Sequence, residues 1–175
     1  FNRRGLHNRA YGFYVLARAG AARIGDLRYF HDNYFHLLPT ALAKAQVAAA
    51  LAFYGDRKRA EKAFLEALTD SERRKKFYLR DYGSNLRDTA ALVAMMIEID
   101  AWQERVPGMV EKLTDLWAKK RYTSTQEKAW LLLAARELLG GNEELVLSVN
   151  GRAIPPRKKP LFLRPEMKKI NYGYR

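Results

Sequence analysis

The sequence predicts a mainly α fold in which antiparallel helical hairpins form two layers, as in a toroid, a solenoid or part of one. Three helical segments, beginning near residues 40, 84 and 125, are apolar almost all round, whereas two others, beginning near residues 57 and 108, are amphipathic. A helix that is apolar on every side must be covered on every side, and an amphipathic helix covers a neighbour while facing water. Buried inner helices alternating with half-exposed outer helices satisfy both requirements.

Capping residues and glycines predict where the first helices begin and end. A short helix from Arg9 to Ala19 is expected to stop before Gly20. Asp26, Thr40 and Asp56 are predicted N-caps. Their side-chain oxygens can accept hydrogen bonds from the free N–H groups in the first turn of the helix that follows. These caps predict helices over 27–35 and 41–54, and a third from residue 57 with a stripe of Ala60, Ala63, Phe64, Ala67 and Leu68.

Three more helices are expected after a polar connection over residues 70–83. Ser84 is the predicted N-cap of the first, and Pro107 is placed where proline is tolerated, at the start of the second. Ser124 and Glu127 have the S-x-x-E spacing of a capping box, which predicts the start of the third. The apolar or amphipathic bodies are 90–97, 108–120 and 129–139, and the last of them is stopped by Gly140 and Gly141.

The C-terminal segment has a different pattern, which predicts a small β hairpin. Residues 144–149 alternate with period two, residues 150–151 are an Asn-Gly turn signal, and residues 161–163 are the expected returning strand. A hairpin of this size is not stable by itself, so it should belong to a sheet encoded elsewhere or lie against the helices. The predicted domains are therefore a helical part, 1–142, and a β segment with a basic tail, 143–175, in an excerpt of a larger protein.

The formal net charge of +13 is concentrated at one end of the chain. From Arg152 to Arg175 there are eight Lys or Arg against Glu166 alone, and the other 151 residues carry +6. The basic cluster over 73–76 lies in a predicted solvated connection. The cluster over 119–121 lies at a helix end, where cations interact favourably with the helix dipole. No nucleic-acid partner is therefore predicted.

No catalytic, cofactor-binding or metal site is predicted, and the chain is expected not to be an enzyme. The absence of cysteine excludes disulfides, thiolate zinc sites and cysteine nucleophiles within the chain. His31 and His36 are five residues apart, which is not the spacing of a paired metal site on a helix. Asp88 follows the Ser84 cap by one turn, so we assign it to the helix N-terminus rather than to acid–base chemistry. The three tryptophans, at positions 102, 117 and 130, are assigned to the core.

Three segments of the chain resemble bacterial alpha-2-macroglobulins. YGSNLRDTAAL, over residues 82–92, resembles the family's YGSxLRDxAxxL stretch, and STQEKAWLLLA, over 124–134, resembles its STQExAWxLLA segment. AYGFYVLARAG, over 10–20, is similar to the AYxLYVLARAG helix that precedes both. The matching positions are assigned to the scaffold by their own physical properties, as caps and packing residues: Tyr82, Gly83, Ser84, Leu86, Arg87, Asp88, Ser124, Thr125, Gln126, Glu127 and Trp130.

The resemblance implies that the chain is the C-terminal part of an α/α-toroid thioester domain. Such domains belong to very large periplasmic proteins, often lipid-anchored to the inner membrane, that trap proteases and capture them covalently. The family's thioester joins a Cys and a Gln in a Cys-x-Glu-Gln motif. Because this chain has no cysteine, the motif is expected upstream of Phe1 or is missing from the parent. The implied partners are proteases, bound through the parent, and neighbouring domains of the same chain, with membrane contact only through the parent's lipid anchor.

Two other functions remain open from the residues alone. Residues 55–68, GDRKRAEKAFLEAL, resemble the second helix of a tetratricopeptide hairpin, which would make the chain a helical-repeat interaction scaffold. The repeat period is not the 34 residues of that family, however. An α/α-toroid enzyme such as a glycosidase is the second alternative, and it would need a pair of carboxylates across the mouth of the toroid. The sequence nominates no such pair.

Overall fold

The computed structural model describes residues 5–72 and 83–140, and the backbone of three strands between residues 145 and 174. In these residues the chain is mainly helical, as predicted. The α-helices are α1 (Leu6–Arg18), α2 (Ile24–Tyr34), α3 (Ala41–Phe53), α4 (Arg57–Glu72), α5 (Asn85–Glu98), α6 (Val106–Ala118) and α7 (Thr125–Leu138). Short 3-10 turns lie at Phe35–Leu37 and Gln103–Arg105. The chain divides into two compact units, Phe1–Glu137 and Leu138–Arg175.

Local sequence signals set most of the helix ends. Thr40 Oγ1 accepts the N–H of Ala43 at 3.0 Å, and Ser84 Oγ accepts the N–H of Arg87 at 3.1 Å, which confirms both predicted N-caps. A cap of this kind typically stabilises a helix by about 1 kcal/mol. At the other end of α3, Gly55 has a φ of +73°, a left-handed conformation that glycine adopts without the strain of a Cβ.

Three predicted boundaries in the first half of the chain are wrong. α1 begins at Leu6 rather than at Arg9, and the buried side chain of Leu6 favours the earlier start. α2 begins after Arg23 rather than after Asp26, which lies inside the first turn, and no side chain caps this helix. Ile24 packs against the core, and the burial of its side chain favours the earlier start. α4 continues through Asp70 into the predicted connection, because Asp70 is held by an ion pair of 3.0 Å with Lys44 of α3.

The core of the helical unit is built around α3 and α5. α3 packs against α1, α2, α4 and α5, and α5 packs against α3, α4 and α6. Both are buried almost all round, as predicted, and their fully enclosed side chains include Val47, Leu51, Leu86, Leu92, Val93, Met95 and Met96. The amphipathic helices bury one stripe each, as predicted. The buried residues are Ala60, Ala63, Phe64, Ala67 and Leu68 on α4, and Met109 and Leu113 on α6, which also buries Val106, a residue before the predicted start of that helix.

The third predicted inner helix, α7, is not enclosed. Its buried residues are Glu127 and Ala134, whereas Leu132 is 58% exposed. An apolar side chain is buried only where another element covers it, and the described residues cover α7 on one side. The prediction of an enclosed third helix is therefore wrong for the part of the chain that the structure describes.

The tryptophans, all assigned to the core from the sequence, differ in burial. Trp102 and Trp130 are partly buried and pack against the core, and the ring of Trp102 stacks on Phe64 with centroids 4.5 Å apart. Trp117 is 57% exposed, so its assignment is wrong. It lies in the last turn of α6, beyond Leu113, the last buried residue of that helix.

The second unit contains three antiparallel strands, β1 (Leu145–Val149), β2 (Arg152–Ile154) and β3 (Ile170–Tyr174). They form one sheet in the order β2-β1-β3, with Val149 opposite both Arg152 and Ile170. The returning strand predicted at 161–163 lies outside the described residues. The predicted boundary after residue 142 also falls there, and both stay predictions. Among the residues that the structure describes, no helix is long and apolar enough to span a membrane.

Candidate functional site

The YGSNLRD and STQEKAW segments meet at the N-terminal ends of α5 and α7, around the carboxylate of Glu127. Ser124 Oγ accepts the N–H of Glu127 at 3.2 Å, and Glu127 Oε2 accepts the N–H of Ser124 at 2.7 Å, so the predicted capping box is present. Glu127 Oε1 accepts hydrogen bonds from Ser84 Oγ at 2.6 Å and from Lys120 Nζ at 2.8 Å. The residue that caps α5 and the residue that closes the cap of α7 are therefore bonded directly.

Arg87 makes a second link between the same two helices. Its side chain is 1% exposed. Nε and Nη2 donate to Asp88 Oδ1 at 2.9 and 2.7 Å, and Nη1 donates to Gln126 Oε1 at 3.0 Å. A buried guanidinium is tolerated only when its charge is paired and its N–H groups are bonded. Asp88 lies in the first turn of α5, as predicted, and it also neutralises Arg87.

The electrostatics of the network keep Glu127 ionised. Burial raises the pKa of this carboxyl, but the hydrogen bonds from Lys120, Ser84 and the Ser124 N–H lower it by more, to about 2. The carboxylate is thus charged at all pH values at which proteins ordinarily function. A group held permanently in one protonation state is suited to fixing two helices together and is not suited to exchanging protons.

The other motif residues lie around this network. Leu86 is fully buried in the core and Trp130 is partly buried against it, so both act as packing residues. Thr125 is the exposed first residue of α7. Gly83 comes directly before the Ser84 cap, and Tyr82 lies outside the described residues.

Sequence reasoning missed two polar contacts in this region. The sequence predicts that Lys120 and its neighbours interact with a helix dipole, whereas the ammonium group of Lys120 binds the Glu127 carboxylate at 2.8 Å. The capping box was the one sequence signal for the contact with Lys120. A glutamate at a buried helix start needs a cation nearby, and Lys120 is close in sequence. The hydroxyl of Tyr14 donates to the carboxylate of Glu98, 84 residues away, and no local pattern marks that pair.

A cavity of about 450 Å³ lies beside the network, where the N-terminal parts of four helices converge. α1 contributes His7, Asn8 and Tyr11, α3 contributes Leu42, Ala43 and Gln46 with its cap Thr40, α5 contributes Arg87, and α7 contributes Gln126, Ala129, Trp130 and Leu133. None of these lining residues is Asp or Glu. Among the described residues, no group of three His, Cys, Asp or Glu has the arrangement of a metal site. The chemistry that the cavity offers is hydrogen bonding beside one guanidinium group.

Comparison with known proteins gives the chain a family. It is 34% identical over 140 residues to an alpha-2-macroglobulin of Xylella fastidiosa, a match that covers 75% of this chain. It is 32% identical over 130 residues to the alpha-2-macroglobulin of Escherichia coli K12, a match that covers 74% of this chain. The chain belongs to the bacterial alpha-2-macroglobulin family. It spans about 8% of the length of these curated relatives, and no protein-family model matches it.

Solved alpha-2-macroglobulin structures have a similar fold. A crystal structure of native Escherichia coli alpha-2-macroglobulin, spanning domain MG7 to the C-terminus, matches 96% of this chain with a TM-score of 0.69 and 25% identity, over 24% of its own length. Salmonella alpha-2-macroglobulin reacted with methylamine matches 83% of this chain with a TM-score of 0.67 and 28% identity, over 10% of its own length. The bonded helix starts of α5 and α7 are therefore part of an alpha-2-macroglobulin segment.

Proposed function

We propose that this chain is a scaffold segment of the α/α-toroid thioester domain in a protease-trapping alpha-2-macroglobulin. The observation that carries the proposal is the bonding of the two segments that most resemble the family, through Ser84 and Glu127 and through Arg87 and Gln126. Residues of this kind hold helices in a fixed relation and perform no reaction. In this proposal the chain is part of an inhibitor and is not an enzyme.

The reactive group of the trap lies outside this chain. A thioester needs a cysteine thiol, and the 175 residues contain none. Salmonella alpha-2-macroglobulin is described as reacted with methylamine, and Escherichia coli alpha-2-macroglobulin as activated by porcine elastase. These descriptions support a parent protein that meets proteases and whose reactive centre responds to a small amine. The parent would act in the periplasm, held at the inner membrane by a lipid anchor, with this segment against its neighbouring domains.

Incubation of the full-length protein with trypsin tests the proposal. A trap should abolish cleavage of a large protein substrate while trypsin keeps its activity on a small chromogenic peptide, because the bound protease is enclosed rather than blocked. Trypsin without the full-length protein is the control, because it should cleave both substrates. Undiminished digestion of the large substrate at a molar excess of the full-length protein would overturn the proposal.

Two further measurements test whether the parent carries a thioester and where in the cell the parent is found. If the parent carries a thioester, a covalent adduct with trypsin should appear on a denaturing gel and should disappear after methylamine pretreatment. Protection without an adduct would indicate a trap that works without a thioester. Fractionation of cells should recover the parent with the periplasmic side of the inner membrane, and recovery in the cytosol would contradict the proposed location.

A further inference from the structure

The cavity between α1, α3, α5 and α7 has the features of a ligand site, and holding α5 to α7 does not by itself require a cavity there. Its volume of about 450 Å³ is in the range of small-molecule pockets. We propose that this cavity binds a carboxylate group, carried either by another part of the same protein or by a free small molecule. The argument is independent of protease trapping, because it rests on the lining of the cavity.

Gln46 is the first observation. It lies in the middle of α3, is 4% exposed and lines the cavity. No hydrogen bond links its side-chain amide to a residue that the structure describes, and the amide faces the cavity rather than being sealed in the core. An amide that faces a cavity can bond to water there or to the polar group of a ligand. The amide N–H groups of Gln46 are therefore available to an acceptor that enters the cavity.

The lining of the cavity favours an anionic acceptor. Arg87 is a wall of the cavity and no lining residue is acidic, although Asp88, which lies outside the lining, pairs with the charge of Arg87. The N-terminal parts of four helices also converge there, and each helix N-terminus carries a partial charge of about +0.5. α1 begins after Gly5, which has no side-chain oxygen to offer the first-turn N–H groups, and His7 and Asn8 of that turn line the cavity. Backbone donors of this kind commonly bind anions.

The remaining wall of the cavity is apolar and limits the ligand further. Tyr11, Trp130 and Leu133 line it on the side of α1 and α7. A bare inorganic anion would leave these side chains in contact with water. A carboxylate on a short apolar or peptide stem would place its charge near Arg87 and Gln46 and its stem against the aromatic rings. The side chain of a Glu residue, a chain terminus or a small organic acid has this chemistry.

Thiol alkylation provides the test, because the chain has no cysteine of its own. Leu42→Cys places a thiol in the cavity, one turn of α3 from Gln46, and Thr114→Cys places a control thiol on an exposed position of α6. Each variant is treated with iodoacetate, which carries a carboxylate, and with the neutral iodoacetamide of nearly the same size. The measured quantity is the ratio of the two rates. The control is essential because a net charge of +13 attracts every anion to some degree.

We expect the ratio at Leu42→Cys to exceed the ratio at Thr114→Cys by about tenfold or more, and acetate to compete. If the preference appears in the full-length protein, a free carboxylate can enter the cavity. If it appears in the 175-residue chain and both reagents are excluded in the full-length protein, the rest of the protein occupies the cavity. Equal ratios at the two positions in both forms would overturn the proposal. Tyr11→Cys, at a half-exposed lining residue, serves as a second thiol if Leu42→Cys fails to fold.

Discussion

Ser84 Oγ donates a hydrogen bond to Glu127 Oε1 at 2.6 Å, although the two residues are 43 positions apart. Each of them also belongs to a helix cap of its own, since Ser84 accepts the N–H of Arg87 and Glu127 accepts the N–H of Ser124. One short hydrogen bond thus joins two local structures into a single unit. The stability of either helix start then depends on the other.

Substitution of Glu127 by Gln is expected to destabilise the chain at neutral pH. The amide keeps the shape of the side chain, but it removes the charge that Lys120 pairs with at 2.8 Å and weakens the bond from Ser84. Charge-assisted hydrogen bonds contribute about 1.5–3 kcal/mol, so the free energy of unfolding in urea should fall by a similar amount. Glu111→Gln, on the exposed face of α6, is the matched control. An equal effect of the two substitutions would contradict this prediction.

The same carboxyl group predicts a dependence of stability on pH. Burial raises the pKa of Glu127, but the hydrogen bonds from Lys120, Ser84 and Ser124 lower it by a larger amount. The net result is a pKa lowered from 4.5 to about 2. Because the folded-state pKa is depressed, the stabilisation is complete above about pH 5 and is lost as the pH falls toward about 2. The loss is about 3 kcal/mol at most. Urea unfolding between pH 2 and pH 7 should show a shallower decline for Glu127→Gln than for the wild type, and parallel curves would exclude this origin.

Arg87→Met is expected to destabilise the chain strongly. The substitution keeps the apolar stem but leaves Asp88 without its guanidinium, and breaking a buried pair in this way typically lowers stability by about 3–5 kcal/mol. Adding Asp88→Leu removes the remaining charge and should recover part of the loss. Arg105→Met, at an exposed residue with a long ion pair of 3.7 Å to Glu104, should change stability by less than about 1 kcal/mol. A double variant less stable than Arg87→Met alone would contradict the pairing.

Tyr14→Phe tests the contact between α1 and α5. Burial and the hydrogen bond to Glu98 both raise the pKa of the Tyr14 phenol, so it stays protonated and donates throughout the ordinary pH range. Loss of the hydroxyl should lower the free energy of unfolding by about 1–2 kcal/mol, because the partly buried Glu98 carboxylate loses a donor. Tyr122→Phe, at an 80% exposed residue, should have no measurable effect. Equal stability of the two variants would show that the bond contributes nothing.

The family resemblance and most helix ends were predictable because they depend on residues close in sequence. Gly20, Gly55 and Gly140 all have left-handed φ values at predicted helix ends. The capping box of Ser124 and Glu127 is also as predicted, because a cap involves four consecutive residues. The start of α2 was not predictable in this way, because packing of Ile24 against the core outweighed the capping preference of Asp26.

The sequence by itself determined that the chain is mainly helical, that α3 and α5 are buried almost all round, and which segments carry the family pattern. Hydrophobic periodicity and capping are local properties, and they persist in whatever fold the chain adopts. Only the tertiary structure decided that Lys120 neutralises Glu127, that Arg87 reaches Gln126, and that α7 is covered on one side. These features depend on which helix starts meet in space, and that is set by the packing of helices some 40 residues apart. The cavity lined by Gln46 has the same origin, since four separate helices contribute to it.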